Sequence, residues 1–435
     1  MNKQILRLAI PFIISNLTVP LVSSADTAFM GHLGSTVHLG ALGLGSAIFN
    51  FIYWNFAFIR MSVAGMTAQA YGADDHAEAG KLLARSLAIA VLGTIILLLL
   101  SGPIGKLSFY LAKGEEAVEL SALNYYRIRI LAAPATLSMY AFIGWFIGMQ
   151  NARAPMFIAV AVNVINLVCN YYFVAILGMK SEGVAWGSVI AEYSGLFIAL
   201  AIVWKKYRQF LQHFMLKTLF DLKSYGRFFR INFDIFIRTL AVISVLTWYN
   251  FASADKGALL LGMNVIFLQM VYAFSFFSDG FANAAEALTG KFVGHRDIQN
   301  LKKLIGKVFI WGAGIALAFT LLYGFGWKSI LGLYTSDAAI VELAGDYIGW
   351  VVAIPLVSIL TFVWDGVYLG ATATSTLRNI TLVSAGLFFC IYLLLNGVLN
   401  NHALLFAQVL FFALRGILQT IFFKRAIIHP MRKNR

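Results

Sequence analysis

Acidic and carboxamide side chains lie within long apolar stretches of this sequence, where an ionised group is costly unless it is paired, neutralised or wetted. Asp26 is the clearest case. It follows Pro20 by six residues, and proline removes a backbone donor and can bend a helix. A carboxylate beside a bendable helix can bind and release a proton or Na+ as the helix changes shape. The alternative is a static contact with Arg60 or with a neighbouring hydroxyl group.

Three asparagines are predicted to share one helical face, because they recur at spacings of three and four residues: Asn163, Asn166 and Asn170. Together with Asp26 and Ser188, the last two of these asparagines could supply the oxygen ligands that a hard monovalent cation requires. Hydrogen bonding between helices is the alternative explanation. Glu192 follows Ser188 by four residues, so both lie on one side of their helix, although Glu192 could instead stand near a wet helix end.

Asp234 and Arg238 are separated by four residues in the second half of the sequence. On a helix this spacing places the two side chains on one face, where pairing reduces the cost of burying each charge. We therefore predict that they form a structural ion pair.

A second set of acids is predicted to form an acidic wall in a substrate cavity. Its members fall on one face of one helix or lie within a later apolar stretch: Asp279, Asn283, Glu286 and Asp365. Such a wall would attract cationic amphipathic molecules, while the 12 methionines and the aromatic residues, 15% of the chain, would provide adaptable apolar contacts. Four more residues are candidates for this cavity or its gating: Pro20, Arg60, Asn163 and Glu192.

Membrane-spanning helices must hold these residues. Hydrophobic residues make up 60% of the 435 residues and charged residues only 12%, against roughly 25% charged in an average soluble domain. About 260 residues are therefore apolar, which is enough for about twelve spans of about 20 residues. A separate soluble domain is not expected in the remainder. The predicted spans are 6–30, 39–71, 82–101, 120–149, 156–177, 184–204, 228–253, 258–289, 304–325, 338–369, 380–399 and 403–427.

Basic residues fall mainly in alternate joins between these spans, which sets the predicted orientation. The chain has 33 Lys and Arg against 19 Asp and Glu, a net charge of +14. In a soluble protein this excess would suggest nucleic acid, but the positive-inside rule explains it without such a partner. Both termini and the central join are therefore predicted to face the cytoplasm. The opposite joins hold few basic residues: Lys106, Lys113, Lys180, Lys256 and Lys328.

The two halves of the sequence resemble each other at an offset of about 222 residues. Gly72 matches Gly294 and Lys81 matches Lys303, and three further pairs follow: Tyr126 with Tyr347, Pro134 with Pro355, and Gly148 with Gly370. Six spans is an even number, so the copies share an orientation. We predict an all-α membrane protein with twelve transmembrane helices in two six-helix lobes, 1–204 and 228–435, joined by a cytoplasmic linker, 205–227. A pseudo-two-fold axis along the membrane normal and a central cavity between the lobes are expected, an architecture typical of alternating access, although a duplicated channel or lipid enzyme is an alternative.

Other kinds of chemistry lack their motifs. The chain has two cysteines and seven histidines, none placed as a disulfide framework or a metal site in the membrane, so no metal or cofactor is predicted. No GxxxxGK[ST], HExxH or GxSxG motif occurs, so ATP-driven pumping, zinc proteolysis and serine hydrolysis are not expected. The segment 72–76 is interpreted as a solvated turn. An ion gradient is the expected source of energy.

Several motifs in register resemble the DinF branch of the multidrug and toxic compound extrusion (MATE) transporters. The resemblance covers essentially the whole chain. In chain order, the motifs are Asp26-Thr27-Ala28, Gly31-His32-Leu33, Arg60-Met61, Gly65-Met66-Thr67-Ala68-Gln69-Ala70, Asp279-Gly280-Phe281-Ala282, Ala285-Glu286-Ala287, Asp365-Gly366-Val367-Tyr368-Leu369-Gly370-Ala371-Thr372, Asn401-His402-Ala403-Leu404 and Ala413-Leu414-Arg415-Gly416.

This resemblance implies export of organic cations and other toxic amphiphiles in exchange for H+ or Na+, with Asp26 as the coupling group. Relatives commonly have Asn-x-x-x-Asp in the fifth span, whereas this chain has Asn166 and Asn170. With one negative charge fewer, a Na+ site should bind more weakly, so H+ is the expected ion.

The expected molecule is a monomeric H+-coupled multidrug antiporter in the plasma membrane of a prokaryote, because no organellar transit segment is recognised. Its partners would be small-molecule drugs or toxins, H+ or Na+, and the lipid bilayer. A Na+-coupled antiporter is one alternative. A flippase for lipid-linked precursors is another alternative, although a flippase would favour a basic cavity. A membrane enzyme that acts on lipids is a third, and it should show a His or Cys centre.

Overall fold

The computed structural model describes residues 1–31, 36–112, 116–212 and 222–433. Within these ranges, nothing is described of the side chains at 19, 21–31, 36, 39, 111, 112, 116, 222–224 and 433. All regular elements of the described residues are helices, as expected where a backbone in lipid must satisfy its own hydrogen bonds.

The first half contains α1 Asn2–Gly31, α2 Thr36–Trp54, α3 Phe58–Gly72, α4 His76–Leu99, α5 Ser101–Ala112, α6 Glu116–Arg129, α7 Ala133–Gly148, α8 Arg153–Asn170, α9 Ser181–Lys206 and α10 Arg208–Leu211. The second half contains α11 Leu222–Ala254, α12 Ala258–Gly294, α13 Ile298–Tyr334, α14 Ala338–Gly370, α15 Thr374–Leu399, α16 Asn401–Phe423 and α17 His429–Lys433. A 3-10 turn, Ile130–Ala132, separates α6 from α7, and π-helical segments follow α8 and α16 at Tyr171–Ile176 and Lys424–Ile428.

Eleven helical stretches in the described parts of the chain are long and apolar enough to cross a membrane. They correspond one to one to the second through twelfth predicted spans, beginning with Gly40–Gly72 and ending with Asn401–Arg432. The first predicted span, 6–30, lies on α1, a helix of 30 residues. The chain is therefore a multi-pass helical membrane protein.

The chain divides into two compact units. We call Ile14–Phe228 the N-unit, and Met1–Ile13 together with Phe229–Arg435 the C-unit. The division falls within α1, whose first turns pack in the C-unit: a side chain at Gly280 would collide with Ile13 and approach the carbonyl oxygen of Ala9. In the N-unit, the buried indole of Trp145 donates to the carbonyl oxygen of Ala79 at 2.8 Å.

Each unit has its own aromatic core. The N-unit buries Phe142 and Phe146 beside Trp145, and the C-unit buries Phe267, Phe388 and Phe411. These large side chains fill the space between helices that lipid would otherwise have to solvate, so each unit is held by dispersion contacts over its own set of helices.

The sequence duplication extends to the backbone, and the spacing of 222 residues recurs in its rare conformations. Positive φ angles occur at Asp74 (53°) and Arg296 (58°), and at Gln150 (60°) and Thr372 (53°). Gly178 (66°) likewise corresponds to Asn400 (49°). These positions end or begin helices, so both halves start and stop their helices at equivalent points.

Three helices of the C-unit are continuous where their N-unit counterparts are interrupted. The turn at residues 55–57 separates α2 from α3, whereas α12 runs unbroken for 37 residues. Leu100 separates α4 from α5, whereas α13 is also continuous over 37 residues. The 3-10 turn between α6 and α7 has its counterpart inside the uninterrupted α14.

Paired glycines bring two helices into close contact in both units. A side chain at Gly144 of α7 would collide with the carbonyl oxygen of Arg60 on α3, and one at Gly366 of α14 would collide with that of Ala282 on α12. Both glycines begin a Gly-x-x-x-Gly motif, which allows helix backbones to approach closely in membranes. The same helix pair is therefore the closely packed centre of each unit.

Candidate functional site

Three of the four residues predicted for a cation site are in contact in the N-unit. The Asn170 amide nitrogen donates to the Asn166 amide oxygen at 3.0 Å, and the Asn166 amide nitrogen donates to the Ser188 hydroxyl at 3.2 Å. All three residues are buried, Asn170 completely. We call this chain of hydrogen bonds between α8 and α9 the amide network. It joins two helices through neutral groups, and its role in ion binding stays a prediction.

Gly187 makes room for the amide network. A side chain on this residue of α9 would collide with the amide oxygen of Asn170. Asn170 is also the last residue of α8 before the π-helical segment, a departure from α-helix that is frequent at functional sites. Neither feature was part of the sequence prediction, although Gly183-x-x-x-Gly187 was a visible signal for close helix contact.

Other predicted residues of the first half lie on the expected helices. Asp26, the fourth residue of the predicted cation site, has a side chain outside the described residues. Pro20 is half-buried, and α1 continues through it without a break. Asn163 is half-buried on α8, one turn before Asn166, and Arg60 is half-buried on α3.

Glu192 lies opposite a half-buried arginine that the sequence analysis did not select. The carboxylate of Glu192 on α9 and the guanidinium of Arg129 on α6 are 3.7 Å apart. Arg129 also lies over the rings of Phe49 and Tyr53, at 5.8 and 5.7 Å from their centroids. Because an arginine within an apolar stretch needs a partner as much as a carboxylate does, Arg129 could have been found by the rule that selected Asp26.

The predicted pair between Asp234 and Arg238 is wrong, because each residue pairs with another helix. Asp234 on α11 forms an ion pair with Arg378 of α15 and accepts a hydrogen bond from the Thr374 hydroxyl at 2.9 Å. Arg238, one turn further along α11, forms an ion pair with Asp365 of α14. The i, i+4 spacing allowed a contact, but groups on neighbouring helices supply closer partners.

Asp365 is the centre of a buried charge cluster. Besides Arg238, it accepts a hydrogen bond from Arg415 of α16 at 2.7 Å and one from the amide of Gln419 at 2.7 Å. The Arg415 guanidinium also lies 5.2 Å from the centroid of the Phe411 ring. Two guanidinium groups thus meet one carboxylate. We call Arg238, Asp365, Arg415 and Gln419 the C-unit charge cluster.

The charge cluster corrects the predicted acidic wall, because Asp365 is already matched by two cations and cannot act as an unpaired acid. The other members of the wall lie on α12. Asp279 and Asn283 are half-buried there, and Glu286 is buried, with 2% of its surface exposed.

A polar contact at the end of the N-unit places a histidine beside two serines. The His38 ring nitrogen Nδ1 lies 3.2 Å from the Ser121 hydroxyl, which lies 2.9 Å from the Ser181 hydroxyl. Burial lowers the pKa of His38, and the positive charge of Lys180 lowers it further, while Glu182 acts in the opposite direction. His38 is therefore held in its neutral form to a lower pH than a free histidine.

Comparison with known proteins identifies the family. The MatE family model matches the chain twice, at residues 11–172 and 235–394, one match in each half. The chain is 35% identical over 417 residues to the DNA damage-inducible protein F of Escherichia coli K12, covering 96% of this chain and 90% of that protein. It is 25% identical over 355 residues to the multidrug and toxin extrusion protein 1 of Danio rerio, covering 78% of this chain and 57% of that protein.

A solved structure confirms the predicted fold class. The MATE transporter of Vibrio cholerae in its bent form superposes with a TM-score of 0.83 and 16% identity, covering 99% of this chain and 97% of that one. The chain therefore belongs to the MATE family and is a multi-pass membrane transporter rather than an enzyme.

Proposed function

We propose that this transporter exports cationic or amphipathic toxic compounds in exchange for H+, by alternating access, with Asp26 as the coupling group. One relative supports the cargo class and its direction: the Danio rerio protein is, by its name, a multidrug and toxin extrusion protein. The chain's own residues support the choice of ion.

The observation that carries the proposal is the neutrality of the amide network. The Asn166 amide oxygen, which a Na+ site would use as a ligand, already accepts a hydrogen bond from Asn170. Hard cations require several oxygen ligands, and their affinity rises with the number of carboxylates among them. A site of two amides and one hydroxyl, with Asp26 as its single predicted carboxylate, favours a proton, which needs only one carboxylate.

Coupling requires the proton and the drug to disfavour each other's binding, because a gradient does work only through such a linkage. Protonation of Asp26 would remove a buried charge from α1 and change the equilibrium between conformations of the helix that contains Pro20. Asp279 and Glu286 on α12 are the proposed groups for recognition of a cationic substrate. Asp365 is not assigned this role, because two arginines already match its charge.

Purified protein in vesicles tests the ion and the residue together. A fluorescent organic cation is followed while either a pH gradient or a Na+ gradient is imposed. We expect movement with the pH gradient and none with the Na+ gradient. Asp26→Asn should abolish this movement while the protein still elutes as a monodisperse peak. Asp346→Asn is the matched control, since it makes the same chemical change at an exposed position on α14.

Two results would contradict the proposal. Full pH-driven efflux by Asp26→Asn would remove Asp26 from the mechanism. Movement driven by the Na+ gradient alone would replace the proton with Na+ as the coupling ion.

A further inference from the structure

A groove of about 640 Å³ lies between α5 and α6 of the N-unit, apart from the amide network. Gly102 and Gly105 line it on α5, and Leu120 and Leu123 line it on α6. A Cβ atom built at Gly102 meets nothing within 4 Å, so this wall is open. The surrounding surface is strongly apolar: Leu120 is 62% exposed and Tyr110 is 77% exposed. In a chain that spans a membrane, such a surface contacts lipid.

Tyr126 fixes the separation of the two walls. Its hydroxyl donates to the Ser101 carbonyl oxygen at 2.9 Å, and its ring lies edge-on to Phe109 at 6.2 Å between centroids. A Cβ atom at Gly105 would be 3.1 Å from the same ring, so glycine allows α5 to lie close to α6 at this point. The groove is therefore a built feature of the helix pair.

The charge in the groove is unbalanced. Lys106 lines it from α5 and Arg127 from α6, and both are exposed. Neither forms an ion pair with any residue whose side chain the structure describes. Among the described residues that line the groove, Glu119 is the one carboxylate, against two cations.

The C-unit has a groove at the equivalent position of the repeat, with different contents. It has a volume of about 550 Å³, and Trp327 and Lys328 line it where the N-unit has Gly105 and Lys106. The Trp327 indole reaches to 3.7 Å from a Cβ atom built at Gly345, so an indole lines this groove where the N-unit has a glycine. Glu342 balances the single cation. The duplication thus provides an internal comparison: two grooves of similar volume, one with an excess cation and the other with one cation and one carboxylate.

We propose that the N-unit groove binds an anionic phospholipid, with the phosphate between Lys106 and Arg127 and an acyl chain along Leu120 and Leu123. Apolar walls select a lipid chain over a small soluble anion, and the excess cation selects an anionic headgroup over a zwitterionic one. The groove begins at the C-terminal end of α4. Lys81 lies near the opposite, N-terminal end of this 24-residue helix. The positive-inside rule therefore assigns it to the outer leaflet.

Native mass spectrometry of the purified protein tests this site. The protein is equilibrated with equal amounts of phosphatidylglycerol and phosphatidylcholine, and the retained lipids are counted. We expect preferential retention of phosphatidylglycerol. Because each cation near a membrane surface contributes about fivefold to the affinity for anionic lipid, Lys106→Gln combined with Arg127→Gln should reduce retention about 25-fold. Lys328→Gln, the same change in the charge-balanced groove of the C-unit, should leave retention unchanged.

A second variant tests the apolar wall with the charges intact. Gly102→Phe is expected to fill the groove and to displace the lipid, because a Cβ atom at this position meets nothing within 4 Å. Equal retention of both lipids by the unaltered protein would overturn the proposal, as would unchanged phosphatidylglycerol retention in either variant. Displacement of the lipid by inorganic phosphate would also overturn it, because it would indicate an anion site without a lipid chain. Drug efflux is not the readout, so failure here leaves the proposed transport function intact.

Discussion

At the residue scale, Gly187 decides where the Asn170 carboxamide can lie. The amide oxygen occupies the space that a methyl group on Gly187 would need. Gly187→Ala should therefore break the hydrogen bond from Asn170 to Asn166 without changing any charge. We expect pH-driven efflux in vesicles to fall about tenfold, the equivalent of one hydrogen bond of about 1.4 kcal/mol.

Gly195→Ala is the control for crowding between α8 and α9. Its methyl group would come within 2.6 Å of the Val162 side chain in the same helix interface, where no carboxamide is involved. Both variants should lose some thermal stability through overpacking. If efflux falls equally in both, the position of the Asn170 carboxamide has no special role in coupling.

Asp365 compensates two guanidinium groups, so its removal should be costly. Asp365→Asn leaves Arg238 and Arg415 without a counterion, with side chains only 10% and 4% exposed. We expect the free energy of unfolding to fall by about 3–5 kcal/mol. Arg415→Gln introduced into the same variant should restore part of the loss, because it removes one uncompensated charge. The thermal midpoint in detergent measures both effects.

Asp234→Asn provides the comparison, because its ion pair with Arg378 is more exposed to solvent. Its partner Arg378 has 27% of its side-chain surface exposed, so water can solvate the guanidinium left behind. The loss of stability should therefore be smaller than for Asp365→Asn. Equal losses at the two positions, or a double variant no more stable than Asp365→Asn, would contradict the assignment of the charge cluster as a buried, stabilising unit.

Helical periodicity explains which residue contacts could be predicted. Asn166 and Asn170 belong to one helix, so their spacing alone placed them on one face. The pairing of Asp234 could not be obtained this way, because Arg378 lies 144 residues away and the packing of α11 against α15 decides the contact. Arg129 and Arg415 were recognisable as charges in apolar stretches, but their partners were not.

At the element scale, equivalent aspartates begin two helices. Asp75 accepts a hydrogen bond from the backbone N–H of Glu78 at 2.8 Å before α4, and Asp297 accepts one from Asn300 at 2.9 Å before α13. Asp297→Ala should lower the free energy of unfolding by about 1 kcal/mol, the usual value of such a cap. The thermal midpoint in detergent at neutral pH measures this change.

The contribution of Asp297 should also depend on pH. The backbone N–H of Asn300 holds the pKa of this carboxyl below its ordinary value. A carboxyl with a lowered pKa in the folded state stabilises above the pKa of the unfolded chain, and the contribution is lost as the pH falls through the lowered value. The difference between the unaltered protein and Asp297→Ala should therefore narrow in acid. A constant difference across this range would show that ionisation of Asp297 does not contribute to the cap.

Helix interruptions were the elements that the sequence did not predict. The stretches 39–71 and 120–149 are predominantly apolar, and hydropathy cannot distinguish one long helix from two joined by a turn. Residues 55–57 form a turn in the N-unit, whereas their counterparts at 277–279 continue the helix α12. The Gly-x-x-x-Gly motifs at Gly144 and Gly366 were visible in the sequence, and their shared position in the repeat would have identified the closest helix contact.

At the scale of the whole molecule, the order of the eleven spans in the described residues followed from the sequence because lipid imposes a simple rule. A chain in hydrocarbon must form helices of about 20 apolar residues, so polar joins mark the ends of spans. The eleven spans found in the described residues match the predicted ones in order. The distribution of basic residues predicts the orientation of the chain in the membrane, and this prediction can be tested directly.

Single cysteines at the two ends of α12 measure that orientation. The helix has 37 residues, about 55 Å, more than the roughly 30 Å of a hydrocarbon core, so its ends lie on opposite sides of the membrane. Asp255→Cys and Gln299→Cys place a thiol at an exposed position beside each end. In intact cells, a membrane-impermeant maleimide should label Asp255→Cys, whereas Gln299→Cys, in the basic join, should react only after permeabilisation.

The two native cysteines, Cys169 and Cys390, are free thiols and must first be replaced by serine, and the chain without cysteine gives the background. The basic join beside Gln299 contains Arg296 and Lys302, so the positive-inside rule predicts that it faces the cytoplasm. The reverse labelling pattern would invert the predicted topology. It would also move the groove between α5 and α6 to the inner leaflet, where anionic lipids would meet Lys106 and Arg127 from the cytoplasmic side. Labelling of both positions in intact cells would mean that α12 does not cross the membrane.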